Sequence, residues 1–154
     1  MPLIRAVVIH PDGRSDSPRL AEERLQEAVG LAAALDLDVR AEEIVRVRKT
    51  TPATLFGSGK VEELAALVRA AEAEAVVVDD QLTPVQQRNL EKAWECKVID
   101  RTGLILEIFG RRARTKEGRL QVELARLDYE RSRLVRTWTH LERQRGGTGS
   151  SGGP

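Results

Sequence analysis

The feature that most constrains this chain is a repeated alternation between short apolar runs and longer amphipathic segments. Residues 75–78 are wholly apolar and of strand length, as expected for a parallel strand that is covered on both faces. Less regular runs at residues 4–9, 39–47 and 98–99 predict three further strands. Strands separated by helices predict βαβ units, whose right-handed crossovers place helices on both faces of the sheet. We therefore expect residues 1–100 to form a small doubly wound parallel α/β domain with about four strands.

Signals for the start of a helix lie between consecutive predicted strands. Ser17 followed by Pro18 has the pattern of an N-cap with proline at the first helical position, and it opens a helix that we expect to end near residue 35. Thr83-Pro84 with Gln86 predicts a capping box at the start of a third helix. Between them, the turn residues 57–59 precede a second helix that we expect Ser58 to cap and that ends near residue 73.

Beyond Asp100 the apolar spacing is helical throughout. A short helix carries Leu104, Ile105, Ile108 and Phe109, and a longer helix begins near Thr115. In the longer helix, apolar residues recur every three or four positions over about three heptads, at Leu120, Leu124, Leu127, Leu134, Trp138 and Leu141. Such a stripe needs cover from the sheet domain, the short helix or a partner helix, as in a helical hairpin or coiled coil. We assign residues 101–145 to a helical arm and the glycine-rich residues 146–154 to a flexible tail.

Charge is distributed unevenly along the chain, although the net charge is only +1. Residues 1–100 hold 13 basic and 18 acidic side chains, a net of −5, whereas residues 101–145 hold 12 and 6, a net of +6. This asymmetry favours a polyanionic partner for the second half, and a solvated helix with alternating charges is the alternative interpretation.

The candidate binding residues lie in this basic half. Arg111, Arg112, Arg114, Lys116 and Arg119 fall within nine positions, opposed only by Glu117, and arginine forks suit phosphate oxygens. A second group, in which long polar side chains precede glycines, suits contact with folded RNA: Arg143, Gln144, Arg145, Gly146 and Gly147. For any single arginine, a salt bridge on a solvated face is about as good an interpretation. The cluster as a whole predicts RNA binding.

Other motifs give weaker evidence for a binding or catalytic site. Residues 57–60, Gly-Ser-Gly-Lys, resemble part of a phosphate loop, but Thr54 stands where the first glycine is needed and Val61 where the magnesium-binding hydroxyl is needed. Asp79 and Asp80 follow the most apolar strand, yet neighbouring carboxylates point apart and no third metal ligand is evident. We expect them to be solvated, with one reaching the N-terminus of the third helix.

Catalytic and metal-binding patterns are also missing from the sequence. His10 and His140 have no Cys or His partner at metal-ligand spacing, and no serine or cysteine nucleophile is matched with a histidine base. We expect no metal, cofactor or catalytic centre in this chain. Cys96 is interpreted as a small buried hydrophobe in a reducing compartment. No membrane span or secretory signal is present, so we expect a cytoplasmic protein.

Several of these motifs together resemble one family. Thr51-Pro52, residues 56–64 (FGSGKVEEL), residues 79–84 (DDQLTP) and above all residues 100–134 (DRTGLILEIFGRRARTKEGRLQVELARLDYERSRL) are similar to the N-terminal region of the HflX family of translation-associated GTPases. The resemblance implies a factor that binds the large ribosomal subunit and its rRNA and dissociates stalled ribosomes. It also implies that GTP and Mg²⁺ bind a separate domain that follows in the family, and that a second long helix completes the hairpin.

For individual residues, the resemblance places the segment from Arg143 to Gly147 near the hairpin tip, which the family directs toward the peptidyl transferase region. It leaves Arg111, Arg112 and Arg114 as candidate contacts to the RNA backbone. Two alternatives remain open. The α/β domain could bind a nucleotide such as ATP in its own right, or the stripe from Leu120 to Leu141 could bind a foreign helix or a second copy.

Overall fold

The computed structural model describes residues 3–13 and 17–144, with the side chains of residue 132 and residues 134–144 excepted. The order of elements in the first part of the chain is β1 (Ile4–Asp12), α1 (Pro18–Ala34), β2 (Leu37–Arg46), α2 (Ser58–Ala70), β3 (Ala75–Val78), α3 (Pro84–Trp94), β4 (Lys97–Asp100) and α4 (Arg101–Arg112). A long helix, α5 (Lys116–Gln144), follows. The chain divides after Arg112 into two compact units, which are described separately.

The first unit contains a four-stranded, all-parallel sheet in the order β2-β1-β3-β4. The predicted α/β class and doubly wound parallel sheet are confirmed. The chain moves from β1 outward to β2 and then crosses to the other side of β1 to form β3 and β4. The strand order therefore reverses between β1 and β3, and the carboxyl ends of these two strands form the switch point of the fold.

Alternate residues of the central strands build two separate cores. Val7, Ile9, Val76 and Val78 face a cluster on one side of the sheet that includes Trp94 and the buried faces of α2 and α3. On the other side, Val8 and Val77 pack against a cluster built by α1 and α4 that is formed by Leu25, Ala28, Ala32, Leu104 and Ile108. Because both faces are covered, the central strands consist of continuous apolar residues.

Helix caps follow the sequence signals at two of three helices. The Ser17 side chain accepts the Leu20 N–H at the start of α1, and Thr83 forms a complete capping box with Gln86 at the start of α3. The expectation for α2 was wrong, because Gly57 occupies the N-cap position and Ser58 is the first helical residue, with no side-chain cap.

The first strand is longer than its apolar run predicts. Pro11 and Asp12, which the sequence assigns to a turn, continue β1 beside Val45 and Arg46 of β2. Beyond Ile9 the strand pairs only with β2, since β3 ends at Val78. Proline is tolerated here because that side of the strand has no ladder hydrogen bond to lose.

The second unit is described through α5, which begins close to the predicted position. Thr115 accepts the Gly118 N–H through its hydroxyl, at 2.9 Å, and so caps the first turn. Three leucines of the predicted stripe, Leu120, Leu124 and Leu127, are 57–61% exposed. In the described ranges, no helix combines the length and apolarity required to cross a membrane.

Candidate functional site

A polar cluster occupies the carboxyl edge of the sheet at the switch point. His10, at the end of β1, is 4% exposed, and its Nδ1 lies 3.0 Å from Oδ2 of Asp79, which follows β3. Arg101, the first residue of α4, donates from Nε to Asp79 Oδ1 at 3.1 Å and from Nη2 to the Asp79 carbonyl at 2.7 Å. One carboxylate thus connects the ends of both central strands to the start of α4.

This arrangement corrects the prediction for the two aspartates. The Asp79 side chain is only 13% exposed and is fully engaged, so it is not a solvated loop carboxylate. Asp80 accepts the neighbouring Gln81 N–H at 2.7 Å. Neither aspartate reaches the start of α3; instead Asp100, which is completely buried, accepts the Leu82 N–H just before that helix and the Gly103 N–H of α4. A capping pattern at Asp100 and Gly103, three residues apart, was the signal that could have located this role.

Two adjoining cavities open beside the cluster, and we call them together the switch-point crevice. The first has a volume of about 370 Å³ and is lined by His10, Pro11, Asp12, Gly13, Leu20, Ala21, Arg24, Asp80 and Arg101. The second, of about 460 Å³, is lined by Leu20, Glu23, Arg24, Glu27, Asp79 and Arg101. Parallel α/β sheets usually bind their ligands in this location.

The crevice contains residues to which the sequence assigned no binding role. His10 was considered only as a metal ligand, and within the described part of the chain no group of three or more His, Cys, Asp or Glu side chains is placed to hold a metal ion. Arg24 and Arg101 carried no prediction at all. These residues lie far apart in the sequence, and only the adjacency of β1 and β3 brings them together.

The predicted cationic cluster is divided between the two units. Arg111 and Arg112 form the last turn of α4, whereas Arg114 and Lys116 belong to the second unit. Arg111 is already bound within the domain: Nη1 donates to Asp36 Oδ2 at 2.9 Å and Nη2 to the Leu35 carbonyl at 3.3 Å, at the C-terminal end of α1. This bond gives Arg111 a structural role that the charge pattern did not reveal.

Arg112, Arg114 and Lys116 are exposed and have no ion-pair partner in the described ranges. Their side chains are therefore accessible to a polyanion. Arg143 and Gln144 end α5 with side chains that are not described, and Arg145, Gly146 and Gly147 lie outside the described residues.

The remaining reactive groups have local, structural surroundings. Lys60 pairs with Glu63 at 3.4 Å, one turn along α2. Cys96 is partly buried, and burial together with the nearby Glu91 carboxylate raises the pKa of its thiol to about 11. A thiol with so high a pKa is almost entirely protonated near neutral pH and is a poor nucleophile.

Comparisons with known proteins match both units. Residues 22–110 match the family model described as GTP-binding GTPase N-terminal, and residues 112–154 match the model described as GTP-binding GTPase Middle Region. The boundary between the two models coincides with the division of the structure after Arg112. The match to families thus follows the physical organisation of the chain.

Individual relatives agree with this result. The chain is 59% identical over 130 residues to the GTPase HflX of Magnetococcus marinus, covering 84% of this chain and 30% of the relative. It is 48% identical over 149 residues to the GTPase HflX of Escherichia coli, covering 96% of this chain and 34% of the relative. It therefore spans about a third of the length of the curated relatives that it matches.

A solved structure shares the fold. It is a GTP-binding protein from the hyperthermophilic archaeon Sulfolobus solfataricus in complex with GDP, with a TM-score of 0.64 and 22% identity over 97% of this chain and 44% of that one. The fold, the two family models and the identity to the bacterial relatives agree, and the chain belongs to the HflX family of GTPases, matching the N-terminal part of its members.

Proposed function

We propose that this chain is the ribosome-binding N-terminal region of an HflX-type GTPase, which acts in the cytoplasm on the large ribosomal subunit and its rRNA and helps to split or rescue stalled ribosomes. The observation that carries the proposal is the family match across both units. It is supported by the net charge of +6 in residues 101–145, which suits a polyanion.

The exposed cations Arg112, Arg114 and Lys116 are the first contacts that we assign to rRNA. They have no partner of their own in the described ranges, so phosphate binding costs no existing ion pair. Arg111 is assigned a supporting role instead, because it already binds Asp36 and Leu35. The segment 143–147 remains a proposed tip contact.

GTP and Mg²⁺ are assigned to a part of the family that this chain does not match. In support, Thr54 and Val61 stand where a phosphate loop needs a glycine and a magnesium-binding hydroxyl, and Lys60 pairs with Glu63. We therefore propose that the 154-residue chain contributes ribosome affinity and no GTP hydrolysis.

The test is co-sedimentation of the chain with purified large subunits at several salt concentrations. Changing Arg112, Arg114 and Lys116 together to alanine should weaken binding and reduce the slope of log K against log salt by about 2–3, as expected for three lost phosphate contacts. The matched control changes three exposed cations of the sheet domain, Arg46, Arg48 and Lys49, to alanine. Equal loss in both variants would show only non-specific attraction, and full binding by the first variant would remove these residues from the interface.

A second candidate function is helix-mediated protein association. The observation that favours it is the exposed row of Leu120, Leu124 and Leu127 on α5, because an apolar stripe of this kind is stabilised by a partner helix. Analytical ultracentrifugation separates the two functions: self-association that Leu127→Asp abolishes, without a change in ribosome binding, would support this role for the stripe.

A further inference from the structure

Three polar side chains that line the switch-point crevice have hydrogen-bonding atoms with no partner in the described structure: the exposed Arg24, the half-buried Asp80 and the buried His10. Arg24 makes no hydrogen bond or ion pair in the described structure, and Asp80 uses only Oδ1, which accepts the Gln81 N–H. His10 uses only Nδ1, toward Asp79. In the neutral tautomer that donates from Nδ1 to Asp79, the second ring nitrogen, Nε2, can accept a hydrogen bond.

Arg24 and Asp80 carry charges of opposite sign and form no ion pair with each other in the described structure. They line the same cavity of about 370 Å³. A cavity of this volume falls within the range of about 300–1,000 Å³ that is typical of small-molecule sites. A ligand that lies between the two groups can meet a cation and an anion at once.

The charge balance limits the kind of ligand. The first cavity is lined by two arginines and by the carboxylates Asp12 and Asp80, and the second adds Asp79, Glu23 and Glu27. Five acidic side chains around two guanidinium groups repel a polyphosphate such as ATP. A bare metal ion is also disfavoured, since the described residues provide no group of three suitable ligands.

We propose that the switch-point crevice binds a small zwitterion of the free amino-acid class. Its carboxylate lies on Arg24 and on the Nη1 of Arg101, whose other two nitrogens are held by Asp79. Its ammonium lies between Asp80 and Nε2 of His10. Leu20, which is 43% exposed and lines both cavities, gives an apolar side chain of the ligand a surface to contact.

Nuclear magnetic resonance titration of the ¹⁵N-labelled 154-residue chain with L-leucine tests the proposal. We expect saturable shifts, with a Kd of about 1–10 mM, at the backbone amides of residues 10, 12–13, 20–24, 79–81 and 101. N-acetyl-L-leucine lacks the ammonium and L-leucinamide lacks the carboxylate, so each should bind at least about tenfold more weakly, which is the loss expected for one unmade charged hydrogen bond.

Two variants test the assigned residues. Arg24→Gln and Asp80→Asn should each weaken leucine binding about tenfold, and the second substitution keeps a side-chain oxygen that can accept the Gln81 N–H. Arg69→Gln, on the last turn of α2, is the matched control and should bind like the parent chain. Three results would overturn the proposal: the absence of saturable shifts, binding of either analogue as tightly as L-leucine, or stronger shifts of the same amides by inorganic phosphate or ATP.

Discussion

Among single residues, Asp79 has the largest effect on the local structure. Its carboxylate is 13% exposed and links His10 of β1 to Arg101 of α4, so it joins three elements through two hydrogen-bonded contacts at about 3 Å. A carboxylate in this position stabilises the fold chiefly by satisfying the ring N–H of a histidine that is almost fully buried. The contribution of Arg101 is smaller, because that side chain is 42% exposed.

Asp79→Ala should therefore lower the free energy of unfolding by about 1–3 kcal/mol, the usual cost of leaving a buried donor without an acceptor. Urea denaturation followed by circular dichroism measures the change. Asp38→Ala is the control: Asp38 pairs with Arg40 on the surface, and its loss should cost about 0–1 kcal/mol. Equal effects of the two substitutions would mean that the buried pair adds nothing beyond a surface ion pair.

Glu91 gives a pH-dependent prediction. Burial raises the pKa of its carboxyl group, and the Val98 N–H and the charge of Lys97 oppose the rise only in part. The folded state thus holds this proton more tightly than the unfolded state does, so the stabilising contribution is present at acidic pH and is lost as pH rises through the folded pKa.

Glu91→Gln removes that charge and keeps an oxygen for the Val98 N–H. We expect the variant to have a higher urea midpoint than the parent chain at pH 7, and the difference to shrink as the pH falls through the carboxyl range. A lower midpoint at pH 7 would show that the charge strengthens the bond to Val98 by more than burial penalises it.

The helices of the first unit show which elements local sequence can specify. The Thr83 hydroxyl accepts the Gln86 backbone N–H, and the Gln86 side-chain oxygen accepts the Thr83 backbone N–H. Ser58 also has a hydroxyl side chain, but it lies one position inside α2 and does not cap that helix. Thr83→Ala should cost about 0.5–2 kcal/mol of stability. Ser58→Ala should change stability by less than about 0.5 kcal/mol, because alanine is the better helix former. Thermal or urea unfolding of both variants distinguishes a true cap from a residue that only resembles one.

Local patterns predicted the elements well but could not predict their neighbours. The apolar run at residues 75–78 and the two proline-containing caps located β3, α1 and α3, since each signal lies within a few residues of the structure it specifies. The pairing of His10 with Asp79 spans 69 positions and depends on the order of the strands. No spacing in the sequence contains that information. The fold class predicted a crevice at the switch point, but the residues that line it, His10, Arg24 and Arg101, were missed, and Asp79 was wrongly expected to be solvated.

The same limit applies to the cationic cluster. Its sequence density correctly marks a positive stretch, but Arg111 binds α1 through Asp36, which lies 75 positions away. Charge counting cannot distinguish an arginine that already pairs within its own unit, as Arg111 does, from one that has no ion-pair partner in the described ranges. The structure therefore limits the candidate rRNA contacts in this cluster to the cations that have no ion-pair partner in the described ranges.

For the whole molecule, the division after Arg112 separates the unit that contains the sheet from the unit that contains α5. Both apolar clusters consist of residues from 7 to 108, so the first unit contains the buried core. The second unit contributes α5 with its exposed leucines and carries 9 basic and 5 acidic side chains, a net charge of +4. The family match changes from the first model to the second between residues 110 and 112, within two residues of this division.

Residues 1–112 should accordingly fold without the remainder. We expect a chain that ends at Arg112 to unfold in one cooperative transition, with a Tm within a few degrees of the 154-residue chain, because no member of either apolar cluster is removed. Differential scanning calorimetry measures this directly.

The same shortened chain should bind large subunits much more weakly, since it lacks Arg114, Lys116 and α5, yet it should keep the leucine-dependent shifts of the crevice. If the shortened chain keeps its affinity for the ribosome, the ribosome-binding residues lie on the sheet domain. If it no longer unfolds cooperatively, α5 is required to stabilise that domain.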